Sequence, residues 1–418
     1  MKVSLAIFLL LGFFSTIFAQ NGNLVHKSFM HDGKVREYYL YTPEGYDGSG
    51  QWPLIINYHG YTGDAADQMD RTQMNPMADT ARVLVAYPVG LTINLNSGIL
   101  PEFIPASGSG WCVPGFSTQF DDISFTSALI DSIESSYSID PARIHTMGLS
   151  LGAYMAFYAS EQLEDRIASV AGVAGNLTEA EFSGFSLNRR LSALFVHGTG
   201  DNIAYFDGLE GKYPSVPAAV AFWASQNNCP VDSQVTELPD LNPGDSTTVS
   251  LIRYTGCDEN TEVLLYRVNN GGHRYPGSGR TDLPEILGYN NYDINTSSEI
   301  IRFFKHNPNP NTTASRSSHL QVPAAFGLEQ NFPNPFNPVT TITYHLERPG
   351  FVILKIYALS GRHVHTLVKK QQASGTYEVT WNASGFASGV YYYRLEAGDL
   401  PAGSGVHLSA VRKMILLR

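Results

Sequence analysis

A serine between two glycines, placed where a strand pattern gives way to a helix pattern, constrains this chain more than any other feature. The Gly-Leu-Ser-Leu-Gly segment 148–152 follows the strand-like run 143–147 and precedes the helix-like run 153–159. A serine on so sharp a turn has a strained backbone, and side chains at Gly148 and Gly152 would collide with the neighbouring strand and helix. The pattern predicts that Ser150 is a nucleophile whose hydroxyl points into a cleft.

The segments around this turn alternate between two kinds of pattern. Apolar strand-like runs occur at 35–41, 52–58, 81–88, 143–147, 167–174, 193–198 and 264–268, and helical spacing occurs at 125–137 and 294–306. Apolar strands that alternate with helices predict an α/β fold, with a mostly parallel central sheet flanked by helices on both faces.

The composition changes after Phe304. Residues 307–323 are rich in Asn, Pro, Ser and Thr and predict a linker. Beyond it, short strand-like runs separated by Gly and Pro predict a small C-terminal Ig-like β-sandwich; they lie at 340–345, 351–357, 375–381, 390–395 and 411–417. The expected organisation is a signal peptide at 1–19, a catalytic domain at 24–306, the linker at 307–323 and a C-terminal domain at 324–418.

The N-terminus predicts export. Lys2 precedes an apolar run at 5–14, and Ala19 can end a cleavage site. We expect no transmembrane segment in the mature chain, because no later segment is long and apolar enough. The net charge of −11 argues against nucleic acid or an anionic membrane as a partner.

Three cysteines are spread along the chain. Cys229 and Cys257 flank a polar excursion that contains Pro and Gly, and a disulfide closing that loop is compatible with an oxidising compartment. Cys112 would then be unpaired. Three cysteines without close His spacing make a poor metal site, so we expect neither a metal nor a cofactor.

An acyl-transfer serine needs a base, an orienting carboxylate and an oxyanion hole. In the α/β-hydrolase order, the acid and then the histidine follow the serine, each after a later strand. Asp201 follows the run 193–198, with Asp207 as an alternative, and His273 follows the run 264–268. His59 and His197 are interpreted as structural residues that shape loops.

Two backbone N–H groups are expected to form the oxyanion hole. One belongs to Leu151 at the helix N-terminus, where the dipole favours an anion. The other belongs to Tyr61 in the loop 59–63, with Thr62 as the alternative. Trp111 and Tyr275 are candidates for substrate contact, although Trp111 could also belong to the core.

Taken together, these segments resemble one family, the secreted esterases that include poly(3-hydroxybutyrate) depolymerases, feruloyl esterases and acetylxylan esterases. The resemblance covers residues 24–306 and is carried by His-Gly at 59–60, Trp-Cys at 111–112, Asp-Asp-Ile-Ser-Phe at 121–125, Asp-Pro-Ala-Arg-Ile at 140–144, 148–152, His-Gly-Thr-Gly-Asp at 197–201 and Gly-Gly-His-Arg-Tyr-Pro-Gly at 271–277. It implies an α/β-hydrolase fold and a triad of Ser150, Asp201 and His273 that works without a cofactor. The family often pairs cysteines placed like Cys229 and Cys257. Leu151 and the pair Cys112-Val113 depart from the residues of many relatives.

The tail resembles the type A C-terminal sorting domain of type IX secretion substrates. The matching segments are 328–338, 359–361, 381–382, 389–393 and 413–417. The resemblance implies passage through the periplasm, type IX machinery as a partner, and release or attachment at the cell surface. A carbohydrate-binding sandwich is the alternative interpretation.

The expected function is that of a secreted serine esterase. Its substrate would be a feruloyl or acetyl ester of plant cell-wall polysaccharide, hydrolysed through an acyl-Ser150 intermediate. Hydrolysis of a polyester of the poly(3-hydroxybutyrate) type is the alternative. A third interpretation is a binding or adhesion protein that retains the fold without catalysis.

Overall fold

A computed structural model describes residues 22–96, 98–99, 101, 104–184, 187–280, 284–309, 327–331, 333–346, 350–372, 375–398 and 408–417. The chain divides into two compact units, residues 1–313 and 314–418. The predicted signal peptide and most of the predicted linker lie outside the described residues. No helix in the described ranges is both long and apolar enough to cross a membrane.

A ten-stranded sheet forms the centre of the first unit, in the order β1-β2-β4-β3-β7-β8-β9-β12-β11-β10. Its strands, together with the separate hairpin β5–β6, are β1 (Asn23–His31), β2 (Lys34–Thr42), β3 (Trp52–Tyr58), β4 (Leu84–Pro88), β5 (Leu91–Asn94), β6 (Ser107–Gly110), β7 (Ile139–Leu149), β8 (Ser169–Val173), β9 (Ser192–Gly198), β10 (Gln234–Glu237), β11 (Thr248–Tyr254) and β12 (Val263–Asn269). The six central strands from β4 to β12 pair in parallel, and antiparallel strands flank them on both sides. The carboxyl ends of the parallel strands therefore meet at one edge of the sheet.

Helices cover both faces of this sheet. They are α1 (Ala65–Thr72), α2 (Met74–Ala81), α3 (Asp122–Glu134), α4 (Leu151–Gln162), α5 (Glu179–Gly184), α6 (Val216–Gln226), α7 (Pro284–Leu287) and α8 (Thr296–His306). Because successive strand residues face opposite sides, Ile56 joins the core beneath α3, α4 and α6, whereas Ile55 joins the core beneath α1, α2 and α8. The predicted α/β fold is thereby confirmed.

The second unit is built of two antiparallel sheets, β13-β14-β17 and β16-β15-β18-β19. The strands are β13 (Gly327–Leu328), β14 (Val339–Leu346), β15 (Gly350–Ala358), β16 (His363–Gln372), β17 (Gly375–Asn382), β18 (Gly389–Gly398) and β19 (Leu408–Leu416). Alternate residues such as Tyr344 of β14 and Leu354 of β15 are buried in one common core. Two sheets that share one core agree with the predicted β-sandwich.

Candidate active site

Ser150 sits between the last residue of β7 and the first residue of α4, as the sequence predicts. Its backbone has φ 56° and ψ −124°, a conformation that L-residues rarely adopt. The Ser150 N–H donates to the carbonyl of Val173 on the neighbouring strand at 2.8 Å, which holds the turn in place. The strained turn therefore lifts the serine off the carboxyl end of the sheet, where a substrate can reach it.

The two flanking glycines leave no room for a side chain. A Cβ on Gly148 would lie 2.1 Å from the carbonyl oxygen of Gly152, and a Cβ on Gly152 would lie 2.2 Å from the carbonyl oxygen of Tyr58. Both obstacles are backbone atoms and cannot rotate away. The glycines thus allow β7, the start of α4 and the end of β3 to approach each other around Ser150.

The structure brings the predicted acid and base together. His273 Nδ1 lies 2.8 Å from Asp201 Oδ2, and both side chains are almost wholly buried. The pair leaves His273 Nε2 as the ring atom that can exchange a proton with a substrate or a serine. Among the described residues no hydrogen bond joins His273 to Ser150, and such contacts often tighten only when substrate binds.

Two loops position this pair, and they pack against each other through their backbones. The Gly200 N–H donates to the carbonyl of Gly271 at 2.8 Å, and the Asn270 N–H donates to Thr199 Oγ1 at 2.8 Å. A Cβ on Gly198 would lie 2.2 Å from the carbonyl oxygen of Gly271. Because β9 and β12 are parallel neighbours, the loops that follow them meet directly.

Asp201 is held in its ionised form. Burial alone raises the pKa of this carboxyl, but the neighbouring imidazoles of His273 and His197 lower it, and the net pKa lies well below its usual value. Oδ1 also accepts the N–H groups of Ile203 and Ala204 at 2.9 and 2.8 Å. The carboxylate is therefore fixed in position and can stabilise a positive charge on His273.

The loop after β3 lies against the serine. A Cβ on Gly60 would be 3.4 Å from Ser150 Cβ, so this loop contacts the turn directly. The Thr62 N–H donates to the carbonyl of Ser109 at 2.8 Å, which removes it as an oxyanion donor. The N–H groups of Tyr61 and Leu151 have no acceptor within the part of the chain that the structure describes. Leu151 directly follows Ser150, and Tyr61 follows Gly60, which lies against the serine.

A narrow pocket with an interior of about 30 Å³ adjoins Ser150. Its lining is almost entirely apolar or aromatic and comprises Tyr61, Leu95, Ile99, Phe116, Ser150, Leu151, Tyr154, Ile203, Ala204 and Tyr213. The hydroxyl groups of Tyr61 and Tyr154 are buried and have no hydrogen-bond partner in the described ranges. Sequence reasoning missed Phe116, Tyr154 and Tyr213, because they come from separate segments with no motif of their own.

Two predicted substrate residues are not part of this pocket. Trp111 is fully buried and its Nε1 donates to the carbonyl of His59 at 2.8 Å. Tyr275 is also buried, and its hydroxyl lies 2.7 Å from Ser297 Oγ. Neither side chain therefore lines the pocket beside Ser150, and substrate contact by Trp111 and Tyr275 stays a prediction.

The cysteines lie away from Ser150, Asp201 and His273 in the sequence. Cys229 and Cys257 form the disulfide that the family resemblance implies. Cys112 is free and buried, and burial raises the pKa of its thiol. A buried thiol with a raised pKa is a poor nucleophile.

Comparisons with known proteins agree with this geometry. Residues 330–402 match the secretion system C-terminal sorting domain family, which confirms the expected sorting domain and export to the cell surface or beyond. Feruloyl esterase B of Piromyces equi is 30% identical over 246 residues, which cover 55% of this chain and 41% of the esterase. The putative esterase NocK of Nocardia uniformis subsp. tsuyamanensis is 25% identical over 65% of this chain and 79% of its own.

A third relative belongs to the polyester-degrading class. Poly(3-hydroxyalkanoate) depolymerase C of Paucimonas lemoignei is 27% identical over 124 residues, which cover 29% of this chain and 28% of the depolymerase. The chain thus spans less than half the length of the feruloyl esterase and of the depolymerase. The chain is similar to feruloyl esterases and to a poly(3-hydroxyalkanoate) depolymerase, and its residues 330–402 match the secretion system C-terminal sorting domain.

Proposed function

We propose that this protein is a secreted serine esterase that hydrolyses carboxylic esters through an acyl-Ser150 intermediate. The observation that carries the proposal is the strained Ser150 turn beside an apolar pocket, together with the Asp201–His273 pair at the same edge of the sheet. These parts match the roles of nucleophile, base and orienting acid in acyl transfer.

The proposed reaction uses groups of this chain alone. Ser150 Oγ attacks the ester carbonyl carbon while His273 Nε2 takes its proton, and Asp201 stabilises the resulting imidazolium. The N–H groups of Leu151 and Tyr61 donate to the oxyanion, and the helix dipole of α4 adds to this stabilisation. His273 then protonates the leaving alcohol, and water repeats the sequence to release the acid and regenerate Ser150.

Feruloyl or acetyl esters of plant cell-wall polysaccharide are the proposed substrates. The apolar lining of the pocket suits the acyl part of an ester, and the unpartnered hydroxyls of Tyr61 and Tyr154 suit an acyl group that carries polar oxygens. The similarity to feruloyl esterase B extends over twice as many residues as the similarity to the depolymerase. Export by type IX machinery, with which the C-terminal domain would interact, would deliver the enzyme to a polymer outside the cell.

A polyester of the poly(3-hydroxybutyrate) type is the second candidate substrate. It is favoured by the similarity to poly(3-hydroxyalkanoate) depolymerase C. Both candidates use the same acyl-serine chemistry and differ only in the acid and alcohol that the site accepts.

Product release from methyl ferulate, acetylated xylan and poly(3-hydroxybutyrate) tests the proposal, with the mature full-length chain and Ser150→Ala side by side. We expect release of ferulate or acetate that falls by several orders of magnitude in Ser150→Ala. Faster Ser150-dependent release from the polyester would select the second candidate. No release, together with no labelling by a fluorophosphonate probe, would overturn the esterase and favour a binding protein.

A further inference from the structure

The carboxylate of Asp201 has a second histidine beside it. His197 Nε2 lies 3.2 Å from Asp201 Oδ2, the same oxygen that contacts His273 Nδ1 at 2.8 Å. Oδ1 is occupied by two backbone N–H groups. The four contacts occupy both oxygens of the carboxylate, and His197 is the one side chain among them that has no role in the reaction proposed above.

The protonation of His197 follows from its other contact. Its Nε2 lies 2.8 Å from the carbonyl oxygen of Ala204, and a carbonyl can only accept. The Nε2 atom therefore carries a hydrogen that it donates to this carbonyl, and the same N–H group lies beside Asp201 Oδ2, at 3.2 Å from nitrogen to oxygen. His197 is 2% exposed, so water does not compete for that hydrogen.

Few other polar groups face this carboxylate. In the described part of the chain, the two histidines are the basic groups that lie within 4 Å of it. The hydroxyls of Tyr154 and Tyr213 interact with its charge from the pocket side. Phe206 packs edge-on against the His197 ring, with centroids 6.0 Å apart. His197 is thus the remaining group able to adjust how Asp201 meets His273.

We propose that His197 is a positioning residue for Asp201: its Nε2–H fixes the rotation of the carboxylate and withdraws part of its charge from His273. This inference rests on the proposed esterase function. A carboxylate that loses this donor turns more freely, which misaligns the imidazole. It also holds a positive charge on His273 more strongly, so the imidazole keeps its proton to higher pH.

Three full-length variants test this role against the wild type. His197→Leu removes the donor, whereas His197→Gln can place an amide N–H near the Nε2 position. His145→Leu is the matched control, because His145 is also a buried β-strand histidine but lies five residues before Ser150, about 16 Å along β7. Methyl ferulate turnover is measured from pH 4 to pH 9, with thermal unfolding of each variant in parallel.

We expect kcat to fall about tenfold to a hundredfold in His197→Leu, with a smaller change in KM, because a polar N–H group beside a charged carboxylate is lost. The acid limb of its rate profile should move to higher pH. His197→Gln should recover kcat to within about threefold of the wild type. His145→Leu should unfold at a lower temperature while its kcat and rate profile stay unchanged.

Three results would overturn the inference: an unchanged profile in His197→Leu, equal losses in the Leu and Gln variants, or a shifted profile in His145→Leu. NMR titration of the His273 ring in the same variants measures the coupling without turnover. The titration therefore decides the role of His197 even if the wild type hydrolyses no ester. Absence of hydrolysis would refute the proposed function and not the role of His197.

Discussion

At the scale of single residues, the turn around Ser150 depends on two glycines that have no side chain. Gly148 and Gly152 are surrounded by backbone, so a methyl group at either position has nowhere to go. A clash with backbone cannot be relieved by a change of rotamer, and the strands and helix would have to separate. The geometry of the nucleophile is thus coupled to the stability of the fold.

Gly152→Ala should lower the unfolding free energy of the first unit by at least about 3 kcal/mol, because its Cβ would overlap the carbonyl of Tyr58. Gly184→Ala is the control, since nothing lies within 4 Å of a Cβ there. Denaturant unfolding of both variants measures the difference. Equal stability of the two variants would contradict this account of the motif.

Glu181 is a buried carboxyl that forms no ion pair with any residue the structure describes. It forms a reciprocal pair with Thr178 at the start of α5, where its Oε2 accepts the Thr178 N–H and its own N–H donates to Thr178 Oγ1. Its Oε1 has no partner in the described ranges. Burial raises the pKa of Glu181 to about 8.

This raised pKa predicts a pH-dependent stability. Between about pH 4.3, the usual value for Glu, and about pH 8, the folded state holds a proton that the unfolded state has released, so stability falls as the pH rises through that window. Glu181→Gln removes this penalty and should be more stable than the wild type by at least about 1 kcal/mol at pH 8. The gain should shrink towards pH 4. Thermal unfolding across this range measures it, with Glu179→Gln as the control, and a gain independent of pH would contradict the assignment.

The candidate site was partly predictable from the sequence. The order of Ser150, Asp201 and His273, each after an apolar strand, pointed to residues that lie at one edge of the sheet, because parallel strands bring their carboxyl ends together. Trp111 and Tyr275 were chosen for their sequence positions, but short-range sequence does not reveal which face of a loop an aromatic side chain takes, and neither residue lines the pocket. The aromatic residues that line the pocket were not predicted for a related reason: they come close together only in the folded chain.

At the scale of elements, the buried strands were predicted well and the edges poorly. The parallel strands β3, β8 and β9 are continuous apolar runs, which is the pattern of a strand covered on both faces. No strand was predicted for β1 or β10, whose residues are largely exposed, or for β11, which is partly buried. In the second unit, β16 was missed because its sequence HVHTLVKKQQ is mostly polar. Edge strands bury too little surface to leave a clear pattern.

The disulfide closes the loop that carries β10 and β11 at one edge of the sheet. Cys229 and Cys257 are 28 residues apart in sequence. A Cys229→Ala/Cys257→Ala double variant should therefore unfold with a free energy about 3 kcal/mol lower, because the unfolded chain regains the freedom that the closed loop removes. Calorimetry measures the loss. If a reductant destabilises the double variant further, the crosslink is not the source of the lost stability.

At the scale of the whole molecule, each unit has its own apolar core. The first unit has cores on both faces of its sheet, and the second has one core between its two sheets. Ser150, Asp201, His273 and every residue that lines the pocket belong to the first unit. The candidate active site and the sorting domain therefore lie in separate units of the chain.

A protease site inserted after residue 316 of the full-length chain should allow the two units to be cut apart without loss of catalysis. We expect kcat/KM for methyl ferulate to stay within about twofold after cleavage, because the first unit keeps its core and its candidate site. The uncut chain with the same insertion is the control. Activity that disappears in step with cleavage would mean that the second unit contributes to the site.

The contact between the loops after β9 and β12 has an evolutionary consequence. The backbone of Gly198 touches that of Gly271, and Asn270 and Thr199 are hydrogen-bonded across the same contact. An insertion that lengthens one loop would push the other away and part Asp201 from His273. We therefore expect these two loops to change together among relatives. A chimeric protein that takes the two loops from different relatives should lose the contact between Asp201 and His273.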